Sequence, residues 1–176
     1  VALMDLGENQ PFNPNVFSLT SSELPQNDAN DLYQRMVNDP ATRDAALVTN
    51  RLSSFGLTAV QDFERTFARK LRPEEYYFNP QIGFLSLNTT LQPDEVLGIA
   101  FQYAVNGKIY QVGEFSNDVT PDTTAGNSGT QKVLFLKTSS RVTFCWANVS
   151  KLQTRINAKK ETNLILIINF YVYCGV

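Results

Sequence analysis

Residues Glu95 to Phe115 read E-V-L-G-I-A-F-Q-Y-A-V-N-G-K-I-Y-Q-V-G-E-F, and they contain the clearest structural signal in the chain. Asn106-Gly107 lies between two runs of β-forming residues, and both residues tolerate the positive φ of a type I′ turn. The sequence therefore predicts a β-hairpin whose register is set by the turn. Counting outward from the turn opposes Val105 with Lys108, Tyr103 with Tyr110, Phe101 with Val112 and Ile99 with Glu114.

These pairs share one face of the hairpin, because side chains alternate between the two faces of a strand. That face is large and mostly apolar, so it predicts a core. The other face carries small or amide side chains, which suit a half-hydrated surface or the close approach of another backbone. Its members are Gly98, Ala100, Gln102, Ala104, Ile109, Gln111 and Gly113.

Composition indicates one β-rich protein with few options for catalysis. The 176 residues carry a net charge of −2, so no overall field attracts nucleic acid. Histidine is absent, which removes histidine-dependent triads and the usual zinc sites. No cofactor or metal is expected. The adjacent Glu74 and Glu75 point apart on a strand or turn, so they do not predict a hydrolase pair.

The two cysteines, Cys145 and Cys174, suit either one disulfide in an oxidising compartment or two free thiols. No apolar run reaches the roughly 18 residues that indicate a membrane-spanning helix. Because the chain begins with Val1 and not with Met, we interpret it as part of a longer protein, so the lack of a signal-peptide pattern carries no information.

Turn signals divide the chain into three predicted parts, residues 1–56, 57–137 and 138–176. The first is a turn-rich arm with a helical pair at about 29–38 and 41–53. The expected buried stripes of the two helices contain Leu32, Tyr33, Met36, Val37, Ala45, Leu47, Val48 and Leu52.

The second part is predicted to be an antiparallel β domain. Strands are expected at 76–78, 84–87 and 132–137 in addition to the hairpin, with a loop at 117–130. The third part is a tail in which 164–173 reads as a buried strand, or as an exposed aggregation-prone run if it has no partner.

Residues 57–71 fit two periodicities, and the pattern alone leaves both open. Helical spacing relates Val60, Phe63, Phe67 and Leu71. Strand alternation relates Phe63, Arg65, Phe67, Arg69 and Leu71.

Three long segments carry a distinctive order of motifs. They are G-E-N-Q-P-F-N-P-N-V-F-S-L-T-S-S-E-L-P-Q-N-D-A-N-D-L-Y-Q-R-M-V (Gly7 to Val37), F-A-R-K-L-R-P-E-E-Y-Y-F-N-P-Q-I-G-F-L-S-L-N (Phe67 to Asn88) and D-E-V-L-G-I-A-F-Q-Y-A-V-N-G-K-I-Y-Q-V-G-E-F-S (Asp94 to Ser116). Together they resemble the SprA/Sov family, very large outer-membrane translocon proteins of type IX secretion and gliding motility in Bacteroidota. The similarity covers about residues 3–137, and the chain departs from the family pattern after Lys137.

The resemblance implies a non-catalytic segment of a giant β-barrel translocon in the cell envelope, at the outer membrane. Its implied partners are other translocon segments, envelope proteins and secreted cargo, and it implies no catalytic residues. It also favours a strand for 57–71. Ala100, Gln102 and Gln111 are poor lipid-facing residues, so we expect a β-sandwich or loop region attached to the barrel rather than a spanning piece.

The predicted fold class is mainly β with an N-terminal helical pair, built as an antiparallel, jelly-roll-like β-sandwich. Its structural hairpin comprises Phe101, Tyr103, Asn106, Gly107, Tyr110 and Val112. The alternative function is a carbohydrate-binding surface module, for which aromatic side chains would form a sugar-stacking platform. The candidates for that platform are Tyr76, Tyr77, Tyr103, Tyr110 and Trp146.

Replacing Gly107 by Val tests the predicted turn. A β-branched side chain resists positive φ, so the free energy of unfolding should fall by about 1 kcal/mol or more. Thermal or urea unfolding measures the change, and an unaltered midpoint would contradict the turn.

Overall fold

The computed structural model describes residues 1–79, 84–88, 90, 95–117, 133–139 and 166–174. Residues 84, 85, 139 and 166–174 are described by their backbone alone. Most of the predicted loop at 117–130, together with Cys145 and Trp146, lies outside the described residues, as does the side chain of Cys174.

The described chain is mainly β, with two short helices near its N-terminal end. Helix α1 spans Leu32–Val37 and α2 spans Val48–Ser54, with 3₁₀ turns at Asn27–Ala29, Pro40–Arg43 and Pro73–Glu75. The strands are β1 (Ala2–Leu3), β2 (Phe63–Glu64), β3 (Phe67–Lys70), β4 (Tyr76–Asn79), β5 (Phe84–Leu87), β6 (Glu95–Val105), β7 (Lys108–Val112), β8 (Leu136–Ser139) and β9 (Leu166–Cys174).

Both helices are shorter than the sequence pattern predicts, because 3₁₀ turns replace their first turns. The Asp39 carboxylate accepts a hydrogen bond from the Ala41 backbone N–H at 3.0 Å, and Pro40 follows it, which starts the 3₁₀ turn rather than a long helix. Val37 and Leu47 are exposed, so their predicted places on the buried stripes are wrong. Leu32, Met36, Val48 and Leu52 are buried, and Tyr33 and Ala45 are partly buried against the core.

Gly56 ends α2 in a Schellman motif. Its φ is +84°, its N–H donates to the Ser53 carbonyl, and the Leu57 N–H donates to the Leu52 carbonyl. Leu52 and Leu57 are both buried in the core, which is the apolar contact that accompanies this motif. The helix exit predicted at Gly56 is therefore confirmed.

Seven strands form one sheet in the order β2-β1-β8-β6-β9-β3, with β7 also paired to β6. Strands β1 and β8 run parallel and the other pairs run antiparallel. The sheet is therefore mixed, whereas the sequence predicted a purely antiparallel one. Strands β4 and β5 form a separate two-stranded sheet, as their turn signal indicated.

Strand β6 is the centre of the sheet. One of its edges pairs with β9 from Glu95 to Tyr103, and the other edge is divided between β8 and β7. The hairpin places Tyr103 opposite Tyr110 and Phe101 opposite Val112, which are the pairs expected from the Asn106-Gly107 turn.

The predicted pairing of Ile99 with Glu114 is wrong, because Ile99 pairs with Lys137 of β8. Gly113 has a φ of +75° and carries the chain off the edge of β6. A Cβ on Gly113 would lie 3.1 Å from the Ala100 Cβ, so this glycine permits the close backbone approach predicted for the small face.

Strand β8 begins at Leu136, later than the predicted start at Lys132. Residues 133–135 instead make hydrogen bonds to other parts of the chain. The Val133 carbonyl accepts from Arg43, and the Glu114 N–H donates to the Phe135 carbonyl.

Residues 57–71 form strands β2 and β3, so the extended alternative is confirmed over the helical one. The turn before β2 holds Val60 at a φ of +74°, a left-handed conformation that β-branched residues resist. The Val60 N–H donates to the Phe63 carbonyl at 2.8 Å, and the Asp62 N–H donates to the Thr58 carbonyl at 2.8 Å. These bonds hold the strained turn.

The helices and the sheet enclose one main apolar core. Leu32, Met36 and Leu52 from the helices belong to the same buried cluster as Phe101 and Tyr103 of β6. The two-stranded sheet adds partly buried side chains to that cluster through Tyr76, Phe78 and Leu87.

Replacing Val60 by Asn should stabilise the protein by roughly 0.5–1 kcal/mol, because Asn adopts positive φ at lower cost and the Val60 side chain is exposed. Urea unfolding measures the change. Val60→Ile is the matched control and should not stabilise, since it keeps the β-branch. Equal midpoints for wild type and Val60→Asn would contradict the strain.

Candidate functional site

The helical arm meets the sheet at a polar cluster that we call the arm–sheet junction, comprising Asn27, Tyr33, Arg43, Gly113 and Glu114. Gly113 and Glu114 follow directly on β7, where the chain leaves the edge of β6. The other three residues come from the 3₁₀ turns and α1. The junction thus joins segments that lie 71 to 86 residues apart in the chain.

Glu114 is the central acceptor of the junction, and its side chain is 3% exposed. Its Oε1 accepts from Arg43 Nη2 at 2.5 Å and from the Tyr33 hydroxyl at 3.1 Å. Its Oε2 accepts from Arg43 Nη1 at 2.7 Å and from the Phe135 backbone N–H at 3.0 Å. A carboxylate offers about four acceptor positions, so this one is fully used. Glu114 therefore acts as a structural acceptor.

Arg43 completes the ion pair in a bidentate geometry. Partial burial by itself would lower its pKa, but the hydrogen bonds and the negative charge of Glu114 outweigh it and raise the pKa above the ordinary value. The guanidinium also lies 4.3 Å from the centre of the Phe135 ring, and Nη1 donates to the Val133 carbonyl at 3.0 Å. One arginine thus connects the arm to β7 and to the segment before β8.

Three further hydrogen bonds join the arm to the hairpin. The Asn27 side chain accepts from the Gly113 N–H at 2.8 Å and donates to the Gly113 carbonyl at 3.2 Å. The Tyr103 hydroxyl donates to the Pro25 carbonyl at 2.7 Å. Burial, followed by the neighbouring Tyr110, raises the pKa of Tyr103, so its hydroxyl remains a donor throughout the usual pH range.

A second buried polar cluster shapes the arm itself. The Asp5 carboxylate accepts from the backbone N–H groups of Phe12 and Asn13 at 2.9 Å each. Asn13 Nδ2 donates to Asp62 Oδ2 at 2.9 Å, and Asn30 Nδ2 donates to the Asp5 carbonyl at 2.7 Å. These buried side chains satisfy backbone groups that no regular element pairs, which makes the irregular arm a defined structure.

Glu75 organises the turn between β3 and β4. Its Oε2 accepts from Arg69 Nη1 at 2.7 Å and from the Arg72 backbone N–H at 2.8 Å. The hydrogen bond from Arg69, followed by that from Arg72, lowers the pKa of Glu75 to about 2. The adjacent acids Glu74 and Glu75 therefore have a structural role in this turn.

The aromatic side chains of the predicted hairpin lie largely in the core. The Tyr103 ring stacks on Tyr110 at a centroid distance of 5.3 Å, and its side chain is 2% exposed. Phe101 and Val112 are buried beside it, whereas Asn106 and Gly107 are exposed at the tip. Tyr77 is the exposed tyrosine of β4. The rings of Tyr103 and Tyr77 therefore do not share one exposed surface.

Sequence reasoning did not identify the junction. Glu114 was assigned to the apolar hairpin face. An acidic residue on an otherwise apolar, buried face requires a cationic partner, and that signal was present in the sequence. The identity of the partner, Arg43, has no local signature, because 71 residues separate the two.

In the described residues, no group of three or more acidic or cysteine side chains is placed to hold a metal ion. No helix in the described part of the chain combines the length and apolar content that crossing a bilayer requires.

Comparison with protein-family models, with curated proteins and with solved structures finds no match for this chain. The resemblance to the SprA/Sov family stays a prediction.

Replacing Glu114 by Gln should lower the free energy of unfolding by about 2–3 kcal/mol, because the partly buried Arg43 would lose its charged partner at a buried site. Urea unfolding measures the change. Arg72→Gln is the control. The Arg72 side chain is exposed and pairs with Glu74 and Glu75, and its loss should cost within about 0.5 kcal/mol because solvent screens the charge and the backbone N–H of residue 72 still donates to Glu75. Equal losses in the two variants would contradict a central role for the junction.

Proposed function

We propose that this chain is a non-catalytic segment of a SprA/Sov-type outer-membrane translocon for type IX protein secretion and gliding motility. Within that assembly it serves as a scaffold and contact domain. Its partners are other translocon segments and envelope proteins, with secreted cargo as a further class. Its location is the cell envelope, in association with the outer membrane.

One observation carries this proposal: the segments that resemble the family bind one another through specific side chains. Tyr33 from the first segment donates to Glu114 of the third, and Asn27 holds both backbone groups of Gly113. The Tyr103 hydroxyl donates to the Pro25 carbonyl. Residues that are distant in the chain and that carry the resemblance therefore meet in one structural unit.

The chemistry of the junction supports a scaffold role. Four donors occupy the carboxylate of Glu114, and the Asp5 carboxylate accepts two backbone N–H groups. Charges held this way stabilise a shape and are poorly placed to exchange protons with a substrate.

We further propose that the fold is a jelly-roll-like sandwich in which the β4–β5 sheet contributes to a second layer. Tyr76, Phe78 and Leu87 from that sheet pack against the core that the large sheet covers. Two sheets that share one apolar core between them are the arrangement that defines a sandwich.

The alternative function, a carbohydrate-binding surface module, has less support. Tyr103 is buried in the core, where its ring stacks on Tyr110 and its hydroxyl donates a hydrogen bond to the Pro25 carbonyl. A sugar-stacking platform needs exposed rings that lie side by side.

The proposed function is tested in cells that carry the complete gene product. Glu114→Gln should reduce the export of type IX cargo and the spreading of colonies, because it weakens the scaffold, whereas Arg72→Gln should leave both unchanged. Immunoblotting for exported cargo and colony-edge microscopy measure the two outputs. Normal export and spreading after deletion of the coding segment would overturn the proposal.

A titration with polysaccharides, followed by tyrosine fluorescence, distinguishes the scaffold from the carbohydrate-binding module. Absence of saturable binding agrees with the scaffold. Saturable binding that is lost in Tyr110→Ala would favour the carbohydrate module.

A further inference from the structure

The tip of the β6–β7 hairpin carries the only Asn-Gly step in the sequence. Asn106 and Gly107 are both exposed, with φ values of +52° and +76°. No heavy atom lies within 4 Å of the position that a Cβ on Gly107 would occupy. The side of Gly107 on which a Cβ would lie is therefore open to water.

The amide of Asn106 is also unconstrained. Among the described residues it takes part in no side-chain hydrogen bond, whereas the amides of Asn13, Asn27 and Asn30 each donate to a partner. A free amide can rotate toward the backbone nitrogen of the next residue. Glycine presents the least steric hindrance to that approach because it lacks a Cβ.

We propose that Asn106 is a site of spontaneous covalent modification. The Gly107 backbone nitrogen attacks Cγ of Asn106, a new N–C bond closes a five-membered succinimide, and the side-chain nitrogen leaves as ammonia. Water then adds to one of the two ring carbonyls and opens the ring. The products are aspartate, or isoaspartate in which the main chain runs through the former side-chain carbon.

The two products have different structural consequences. Aspartate keeps the backbone intact, and Asp-Gly also suits a type I′ turn, so the hairpin register persists with one added negative charge beside Lys108. Isoaspartate inserts an extra carbon into the main chain of the turn. The turn that opposes Val105 with Lys108 and Tyr103 with Tyr110 then loses its geometry.

Slow modification of Asn106 thus changes, over time, the turn that sets the register of β6 and β7. The modification requires only water and proceeds with the age of the molecule. The reaction takes place at the turn and involves no residue of the arm–sheet junction.

To test this, the folded chain is incubated at mildly alkaline pH. Mass spectrometry then follows the increase in mass that results when OH replaces NH2. Peptide mapping assigns the position, and labelling with an isoaspartate-specific methyltransferase distinguishes the two products. Asn50 is the internal control, since it is exposed on α2 but is followed by Arg51. We expect modification at Asn106 to be several-fold faster than at Asn50.

Asn106→Gly is the matched variant, because Gly-Gly keeps the type I′ turn and removes the reactive amide. It should retain the thermal midpoint of the fresh protein and lose the modified peptide. The isoaspartate fraction, separated by ion exchange, should melt below the aspartate fraction.

A folded chain that stays unmodified at Asn106, while the urea-unfolded chain reacts there, would overturn the proposal by showing that the turn protects this step. Equal rates at Asn106 and Asn50 would overturn it as well. Equal melting of the two product fractions would overturn the inferred loss of the turn.

Discussion

The backbone turn at Gly113 is the constraint on which the rest of the structure depends. Its positive φ carries the chain off the edge of β6, and its missing side chain lets the backbone pass against Ala100. The freed edge of β6 then pairs with β8. The same turn places Glu114 where Arg43, Tyr33 and Phe135 all donate to it. One glycine thus links sheet topology to the docking of the helical arm.

The junction shows how a mainly β protein orders a long irregular segment. The arm has two short helices, and most of its backbone groups have no ladder to join. Buried carboxylates and amides take the place of the ladder, as Asp5 does for Phe12 and Asn13. Such side chains contribute stability only when every partner is present, so the arm and the sheet are expected to unfold together.

This mode of stabilisation supports the proposed scaffold role. The most buried charges of the junction are saturated by protein donors, and the apolar hairpin face is used for the core. In the function proposed above, a segment of this kind would give the translocon a surface of fixed shape. The exposed hairpin tip is the exception, because the Asn106 amide has no partner among the described residues and is available for reaction with its neighbour.

Sequence patterns correctly predicted the features that depend on a few adjacent residues. The Asn106-Gly107 turn set the register of β6 and β7, turn residues separated β4 from β5, and Gly56 ended α2, since each depends on a few adjacent residues. Other features depended on contacts between distant segments. The parallel pairing of β1 with β8, the start of β8 at Leu136 and the ion pair of Arg43 with Glu114 join residues with no shared local pattern. By itself the sequence determined the turns, the alternation and the apolar faces. Only the tertiary structure decided which edge each strand meets and which charge is buried, because those choices minimise the free energy of the whole chain and not of any one segment.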